Sequence, residues 1–207
     1  MKILALDSSG LVASVAVVEN DTLLAEYTVN YKKTHSQTLL PMLDEISNMT
    51  ELDLSTIDAI AVAGGPGSFT GLRIGSATAK GLGLALEKPL ISIPTTAAIA
   101  YNIWDTNKFV CPIMDARRNQ VYTGVYCYTD HRLDTVWEQD TMSIEALAEG
   151  LNCLDHEVIF LGDGVAVYRE KLEALLTIPF SFAPAHVNRQ RAAAVGALAE
   201  VYYKEGK

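Results

Sequence analysis

A hydroxyl-rich turn follows the first apolar run of the chain. Residues 3–6 are apolar, and Asp7, Ser8, Ser9 and Gly10 come directly after them. Hydroxyl and backbone N–H groups on such a turn can bind a phosphate, and glycine lets the backbone approach a ligand closely. A phosphate loop of a kinase or an ATPase is therefore one chemistry that this turn could support.

A second glycine-rich segment runs from Gly64 to Gly75, and it reads Gly-Gly-Pro-Gly-Ser-Phe-Thr-Gly-Leu-Arg-Ile-Gly. Ser68 or Thr70 can cap the helix that we predict behind it, and the first amides of that helix could hold an anion. It is not a P-loop, because no Gly-Lys-Ser/Thr follows at the required spacing. A tight turn that docks the helix is the alternative. The candidate residues of this loop are Gly65, Gly67, Ser68, Thr70, Gly71 and Arg73.

The corresponding turn in the second half of the chain has a different composition. It runs from Asp115 to Asn119 without glycine, and it carries Arg117 and Arg118. An ATPase built from two such halves clamps nucleotide phosphates between both turns around a metal ion, and half of that clamp is missing here. The later segment Gly162-Asp163-Gly164 is either a relic of a nucleotide loop or a strand-to-helix turn, and we favour the turn. The degenerate phosphate-loop set is Asp7, Ser8, Ser9, Gly10, Gly162, Asp163 and Gly164.

Other catalytic arrangements find little support. His35 precedes a predicted helix, but Leu39 occupies the position where a second histidine would complete a metal pair. A lone histidine at a helix start is typical of capping or packing. No Gly-x-Ser-x-Gly frame is present for a nucleophile, and the three cysteines form no Cys-x-x-Cys pair. We therefore predict no catalytic residue, no metal and no cofactor.

The charge of the chain argues against tight binding of nucleic acid by the chain alone. Its 207 residues include 16 basic and 25 acidic side chains, for a net charge of −9. Such a surface repels phosphate backbones at long range. The first apolar run is too short for a signal peptide, and no stretch reaches the roughly 18 apolar residues that span a bilayer. We expect a cytoplasmic protein that does not enter a membrane.

The elements that must position these residues follow one plan twice. The pattern predicts strands near 3–6, 13–18, 23–29, 57–63 and 90–93, with helices from Leu39, from Thr70 to Leu86 and after Thr95. It then predicts strands near 110–114, 120–128, 133–138 and 158–161, with helices near 144–151, 167–176 and 189–204. The repeated β-β-β-α-β-α order indicates an α/β protein with two ribonuclease-H-like, actin-like lobes from an internal duplication. A doubly wound sheet with decorations is the alternative. We assign residues 1–103 and the last helix, 188–207, to the first lobe, and 104–187 to a smaller second lobe.

Small residues form a stripe on the predicted helix 70–86. Gly75, Ala79 and Gly83 recur every four residues, and glycine destabilises a helix by roughly 1 kcal/mol relative to alanine. Another backbone must therefore approach this stripe closely. Packing within the lobe and packing across a partner both remain open.

Several of these motifs together resemble the bacterial TsaB family, also called YeaZ. The most specific is the string from Gly65 to Gly75. Further matches are residues 3–9, His35-Ser36 with Leu40-Pro41, Asp115 to Arg118 with Val121-Tyr122, and Gly162 to Gly164. The resemblance covers almost the whole chain.

The resemblance implies a non-catalytic paralogue of the transferase TsaD. In that pathway, TsaD forms N6-threonylcarbamoyladenosine at position 37 of tRNAs that read ANN codons, and TsaE is an ATPase that resets the complex. The implied partners are TsaD, TsaE, tRNA only through the complex, and a second copy of the chain when it is alone. The implied partner surface comprises Leu39, Leu43, Leu72, Gly75, Ser76, Ala79, Lys80, Gly83 and Leu86.

Two other functions remain as alternatives. One is an active kinase-like ATPase that uses the Asp7 turn and Gly162 to Gly164, and tight magnesium-dependent ATP binding would favour it. The other is a metallopeptidase, which requires a bound metal. Neither explains why a histidine pair and half of a phosphate clamp are absent from the sequence.

Overall fold

The computed structural model describes residues 1–31 and 37–206, and these form two units. The first unit comprises Met1–Ala98 together with Gln190–Lys207, and the second comprises Ile99–Arg189. Each unit contains one five-stranded sheet. The boundaries predicted at 103/104 and 187/188 stay a prediction. No helix in the described part of the chain is long and apolar enough to cross a membrane.

The first ten elements are β1 (Lys2–Asp7), β2 (Val12–Glu19), β3 (Thr22–Asn30), α1 (Leu39–Thr50), a 3-10 turn (Leu54–Thr56), β4 (Ala59–Gly65), α2 (Phe69–Leu86), β5 (Leu90–Pro94), α3 (Thr95–Ala100) and β6 (Phe109–Arg117). They are followed by β7 (Gln120–Thr129), β8 (Arg132–Ser143), α4 (Ile144–Asn152), β9 (Val158–Leu161), α5 (Val165–Leu175), β10 (Phe180–Phe182) and α6 (Ala192–Lys204).

Both sheets have the same strand order. The first is β3-β2-β1-β4-β5 and the second is β8-β7-β6-β9-β10. In each, three antiparallel strands are extended by parallel ones, because β4 runs parallel to β1 and β9 runs parallel to β6. The predicted β-β-β-α-β-α order is confirmed in both halves. The pattern missed β10 and the 3-10 turn, which are each only three residues long.

Strand β1 is buried on both faces of the first sheet. Leu4 and Leu6 belong to the apolar cluster that includes buried residues of α1 and α2. Ala5 points to the other face, where a Cβ added at Gly196 of α6 would lie only 3.2 Å from the Ala5 Cβ. Since successive strand residues face opposite sides, an uninterrupted apolar strand requires cover on both.

Side chains of the first sheet hold the start of α6. The backbone N–H of Ala192 donates to Ser14 Oγ (2.9 Å), and that of Ala193 donates to Glu26 Oε1 (3.1 Å). Arg191 Nε also donates to Glu26 Oε2, at 3.1 Å. The first amides of a helix have no partner within the helix, so β2 and β3 satisfy them here.

The second unit places α4 and α5 against one face of its sheet. Buried residues of β6 and β9, among them Ile113 and Phe160, share a cluster with Leu147 of α4 and Leu172 of α5. Burial raises the pKa of Cys111 in this core to about 12, so its side chain is a neutral thiol at neutral pH.

Candidate functional site

The two motifs singled out in the first half of the sequence lie side by side. Strands β1 and β4 are adjacent and parallel, so the turn after β1 and the loop after β4 emerge at the same edge of the sheet. The backbone N–H of Ser68 donates to Ser9 O at 2.7 Å. The hydroxyl of Ser8 donates to Gly71 O at 2.9 Å. The Asp7 turn and the glycine-rich loop therefore form one connected structure.

Both serine hydroxyls of this turn have partners within the protein. The backbone N–H and the hydroxyl of Ser9 both donate to Asp7 Oδ1, at 2.9 and 2.7 Å. Asp7, Ser8 and Ser9 are buried. The hydroxyl groups of Ser8 and Ser9, which a phosphate would need as donors, are thus already engaged.

The close approach of the turn and the loop explains two of the glycines. A Cβ added at Gly67 would lie 2.3 Å from Ser9 O, and one added at Gly75 would lie 2.5 Å from Ser8 Oγ. The loop then enters α2, where Ser68 Oγ accepts a hydrogen bond from the backbone N–H of Gly71 (3.3 Å). Of the two predicted caps, Ser68 and Thr70, Ser68 is therefore the cap of this helix.

The stripe of small residues on α2 faces the first unit itself. Gly75, Ala79 and Gly83 are buried. A Cβ added at Gly83 would lie 2.8 Å from Leu90 Cδ2 and 3.2 Å from Lys88 O. The close approach that the glycines permit is therefore made by the β1 turn and by the segment around β5.

Part of the predicted partner surface is buried within the first unit. Leu39 and Leu43 are also buried, on the inner side of α1, so neither they nor the small stripe reaches the surface of the unit. The other predicted members are more accessible. Ser76, Leu72 and Leu86 are half-buried and Lys80 is exposed. The hydrophobic period predicts which residues of a helix are packed but not what they pack against. Here they pack against the sheet of their own unit.

The outward side of α2 carries two large apolar residues that the sequence analysis did not select. Phe69 is 68% exposed and Leu84 is 84% exposed. The guanidinium of Arg73 lies 3.8 Å from the centre of the Phe69 ring. The signal that could have identified them is the period of the buried stripe, because it leaves these positions on the opposite side.

A small cavity lies beside this helix. It has a volume of about 260 Å³ and its walls come from β4, α2 and β5. Ser76 and Lys80 line it together with Ser92, and its apolar lining residues include Val62 and Leu90. It is large enough for one side chain or one small molecule.

The two motifs of the second unit also meet each other. The backbone N–H of Asp115 donates to Asp163 Oδ1 (3.3 Å), and Gly164 N donates to Ile113 O (3.0 Å). Gly162 has φ +102°, and a Cβ there would lie 2.2 Å from Ile113 O. The segment from Gly162 to Gly164 joins β9 to α5. Burial raises the pKa of Asp163.

Two sequence predictions concern metal and histidine. His35 lies outside the described residues. Within residues 1–31 and 37–206, no group of three or more His, Cys, Asp or Glu side chains is placed to hold a metal ion.

Comparisons with known proteins agree on one family. The sequence model of TsaD, tRNA N6-adenosine threonylcarbamoyltransferase, matches residues 22–206. The tRNA threonylcarbamoyladenosine biosynthesis protein TsaB of Bacillus subtilis is 35% identical over 176 residues, which are 85% of this chain and 77% of that protein. The Escherichia coli protein of the same name is 33% identical over 170 residues, covering 79% and 72%.

Solved structures support the same conclusion. YeaZ from Pseudomonas aeruginosa has a TM-score of 0.82 and 27% identity, covering 99% of this chain and 93% of that one. A ROK hexokinase from Thermus thermophilus is only 13% identical but has a TM-score of 0.53 over the whole of both chains. The hexokinase shows the fold alone, and the predicted actin-like, two-lobed fold class is confirmed. The chain therefore belongs to the TsaB (YeaZ) family of tRNA threonylcarbamoyladenosine biosynthesis proteins.

Proposed function

We propose that this chain is a non-catalytic subunit of a tRNA threonylcarbamoyltransferase complex. It supports TsaD and TsaE in forming N6-threonylcarbamoyladenosine at position 37 of tRNAs that read ANN codons, in the cytoplasm. The observation that carries the non-catalytic role is the state of the Asp7 turn. Its serine hydroxyls donate to Gly71 O and to Asp7 Oδ1. A phosphate would have to displace both bonds.

The second unit supports the same role. At the position of a second phosphate turn, Asp115 Oδ1 accepts hydrogen bonds from the backbone N–H of Arg117 (2.9 Å) and from the hydroxyl of Tyr168 (3.0 Å). This carboxylate is the group at that position that could hold a metal ion beside nucleotide phosphates. Here it is used to fix the turn and α5.

The partner surface that we propose is the outward side of α1 and α2. Each helix carries two exposed apolar residues, Leu40 and Met49 on opposite flanks of α1, and Phe69 and Leu84 on α2. Exposed apolar residues collected on one side of a unit are typical of a protein–protein interface. The cavity beside Lys80 adjoins this surface and could receive one side chain of the partner.

Charge is divided between the two helices. Helix α1 carries the exposed Asp44 and Glu45 and no basic residue, whereas α2 carries Arg73 and Lys80 and no acidic residue. If α1 packed against α2 of a related molecule, opposite charges would meet on both sides of a two-fold axis. This division fits a second copy of the chain, or its paralogue TsaD, in the same place.

Reconstitution tests the function directly. Transfer RNA is incubated with TsaD, TsaE and the enzyme that makes the threonylcarbamoyl-adenylate, with and without this chain. Modification that appears only with the chain, and not with the chain in place of TsaD, is the expected result. Equal modification in both reactions contradicts the proposal, and tight magnesium-dependent binding of ATP by the chain alone would favour the kinase-like alternative.

A charge at Leu84 tests the surface. Leu84→Asp places a carboxylate where we expect buried apolar contact. Loss of the leucine contact alone is worth about 1.5–3 kcal/mol, so binding of TsaD should weaken by at least tenfold. Val167→Asp on α5, where Val167 is 57% exposed, is the matched control and should bind normally. Titration calorimetry measures both, and equal affinity of the two variants for TsaD would exclude this surface.

A further inference from the structure

The turn between β6 and β7 has an unusual backbone. Arg117, Arg118 and Asn119 have φ angles of 65°, 51° and 62°, so three successive residues lie in the left-handed region. Asparagine is common there, but a long side chain such as arginine is not. The β2–β3 turn uses Asn20 and Asp21 at such positions, as turn chemistry favours. Strain of this kind is typically retained at functional sites.

Both arginine side chains are available for a ligand. Arg117 and Arg118 are exposed, and within the described parts of the chain neither guanidinium makes a hydrogen bond or an ion pair. The nearby carboxylate of Asp115 already accepts two hydrogen bonds, from Arg117 N and from the Tyr168 hydroxyl. The backbone of Arg117 thus helps to fix the turn, while the side chain is left free.

The turn is also held in place by its third residue. Asn119 Nδ2 donates to Glu145 Oε2 of α4 at 2.6 Å, and Lys171 of α5 donates to Asn119 Oδ1. Lys171 Nζ also lies 3.2 Å from Glu145 Oε1. Two helices therefore anchor the turn, so the adjacent guanidinium groups are presented from a fixed backbone. Fixing a binding group in advance reduces the entropy that is lost when a ligand binds.

We propose that Arg117 and Arg118 bind phosphate groups of the tRNA backbone when the complex holds its substrate. Guanidinium groups pair with phosphate through two parallel hydrogen bonds, and two neighbouring ones can engage successive phosphates. Since the chain carries a net charge of −9, phosphate contact has to be made by such a local pair and not by the general field of the chain. The inference rests on the proposed function, because it assumes that the complex binds tRNA.

The salt dependence of tRNA binding tests the inference. The complex of TsaD, TsaE and this chain is titrated with tRNA at several salt concentrations, with the wild-type chain or with Arg117→Gln/Arg118→Gln. Losing two phosphate contacts should reduce the slope of log affinity against log salt by roughly 1.5. At about 0.15 M salt the affinity should fall on the order of tenfold.

Two further variants control for charge and for folding. Lys108→Gln/Arg169→Gln removes the same charge from residues of the second unit that pair with Glu157 and Glu173, and it should leave the slope unchanged. Arg117→Asn/Arg118→Asn removes the guanidinium groups while giving the turn a residue that suits its backbone. It should fold normally and show the same reduced slope as the glutamine variant.

Unchanged affinity and slope in both arginine variants would overturn the inference. So would a normal slope combined with weakened binding of TsaD or TsaE, because the guanidinium groups would then pair with carboxylates of a protein. The proposed function fails by a different result, namely modification that proceeds equally well without the chain.

Discussion

Two glycines of α2 should respond in opposite directions to the same substitution. Gly81 is exposed, and a Cβ added there would meet nothing within 4 Å. Alanine is more favourable than glycine in a helix by about 1 kcal/mol, so Gly81→Ala should increase the free energy of unfolding by about that amount. At Gly75 the added Cβ would lie 2.5 Å from Ser8 Oγ, and the Ser8 side chain would have to rotate.

That rotation determines the sign at Gly75. The Ser8 hydroxyl is buried and donates to Gly71 O at 2.9 Å, so turning it away leaves a buried polar group without its partner. Such a loss is worth about 1–3 kcal/mol, which exceeds or equals the helix gain of about 1 kcal/mol. Gly75→Ala should therefore lower the free energy of unfolding by up to about 2 kcal/mol.

Urea unfolding of the single variants, of Ser8→Ala and of Gly75→Ala/Ser8→Ala measures these terms. In the Ser8→Ala background the clash with Oγ is gone, so Gly75→Ala should become stabilising, like Gly81→Ala. The cycle should therefore give a coupling energy of about 1–3 kcal/mol between positions 8 and 75. Equal stabilisation by Gly75→Ala and Gly81→Ala would refute the reasoning, since it would mean that the turn does not press against α2.

Two other substitutions probe the second unit. Burial raises the pKa of Asp163 above its ordinary value of 3.8, so the folded state holds this proton more tightly than the unfolded state does. The free energy of unfolding therefore decreases as the pH rises from 3.8 through the raised pKa of the folded state. Asp163→Asn can still accept a hydrogen bond from Asp115 N, so it should be more stable than the wild type at neutral pH but not below pH 3.8. Urea unfolding at both pH values measures this, and a difference in stability that does not change with pH would contradict the prediction. Arg118→Gly removes the backbone strain of an arginine at a positive φ angle, so it should raise the free energy of unfolding by about 0.5–1 kcal/mol while weakening tRNA binding. A variant that is less stable than the wild type would argue against this strain.

The sequence predicts the elements well because each carries its own periodic signal. Residues 3–6 of β1 are an unbroken apolar run, and α2 starts at a serine cap behind a glycine loop. The strand β10 gives no such signal, since Phe180–Phe182 is too short to show alternation. Its position beside β9 depends on pairing that only the folded sheet supplies.

The site is predicted less completely, because its chemistry depends on contacts between distant parts of the chain. The sequence identifies Ser8 as a possible phosphate ligand, but the partner that occupies its hydroxyl, Gly71 O, lies 63 residues away. The helical period likewise identifies Ala79 and Gly83 as close-packed without saying against what. Only the placement of β5 beside α2 shows that the neighbour belongs to the same unit.

The contribution of α6 to the first unit has a consequence for protein synthesis. Helix α6 lies against β1 and β2, and its first amides bond to Ser14 and Glu26. A ribosome makes these strands early and α6 late. One face of the first sheet therefore stays uncovered until residues 192–204 emerge. The second unit is continuous in sequence, from Ile99 to Arg189. The first unit therefore completes the cover of its sheet only after the chain of the second unit has been made, which departs from the usual N-terminal-first order.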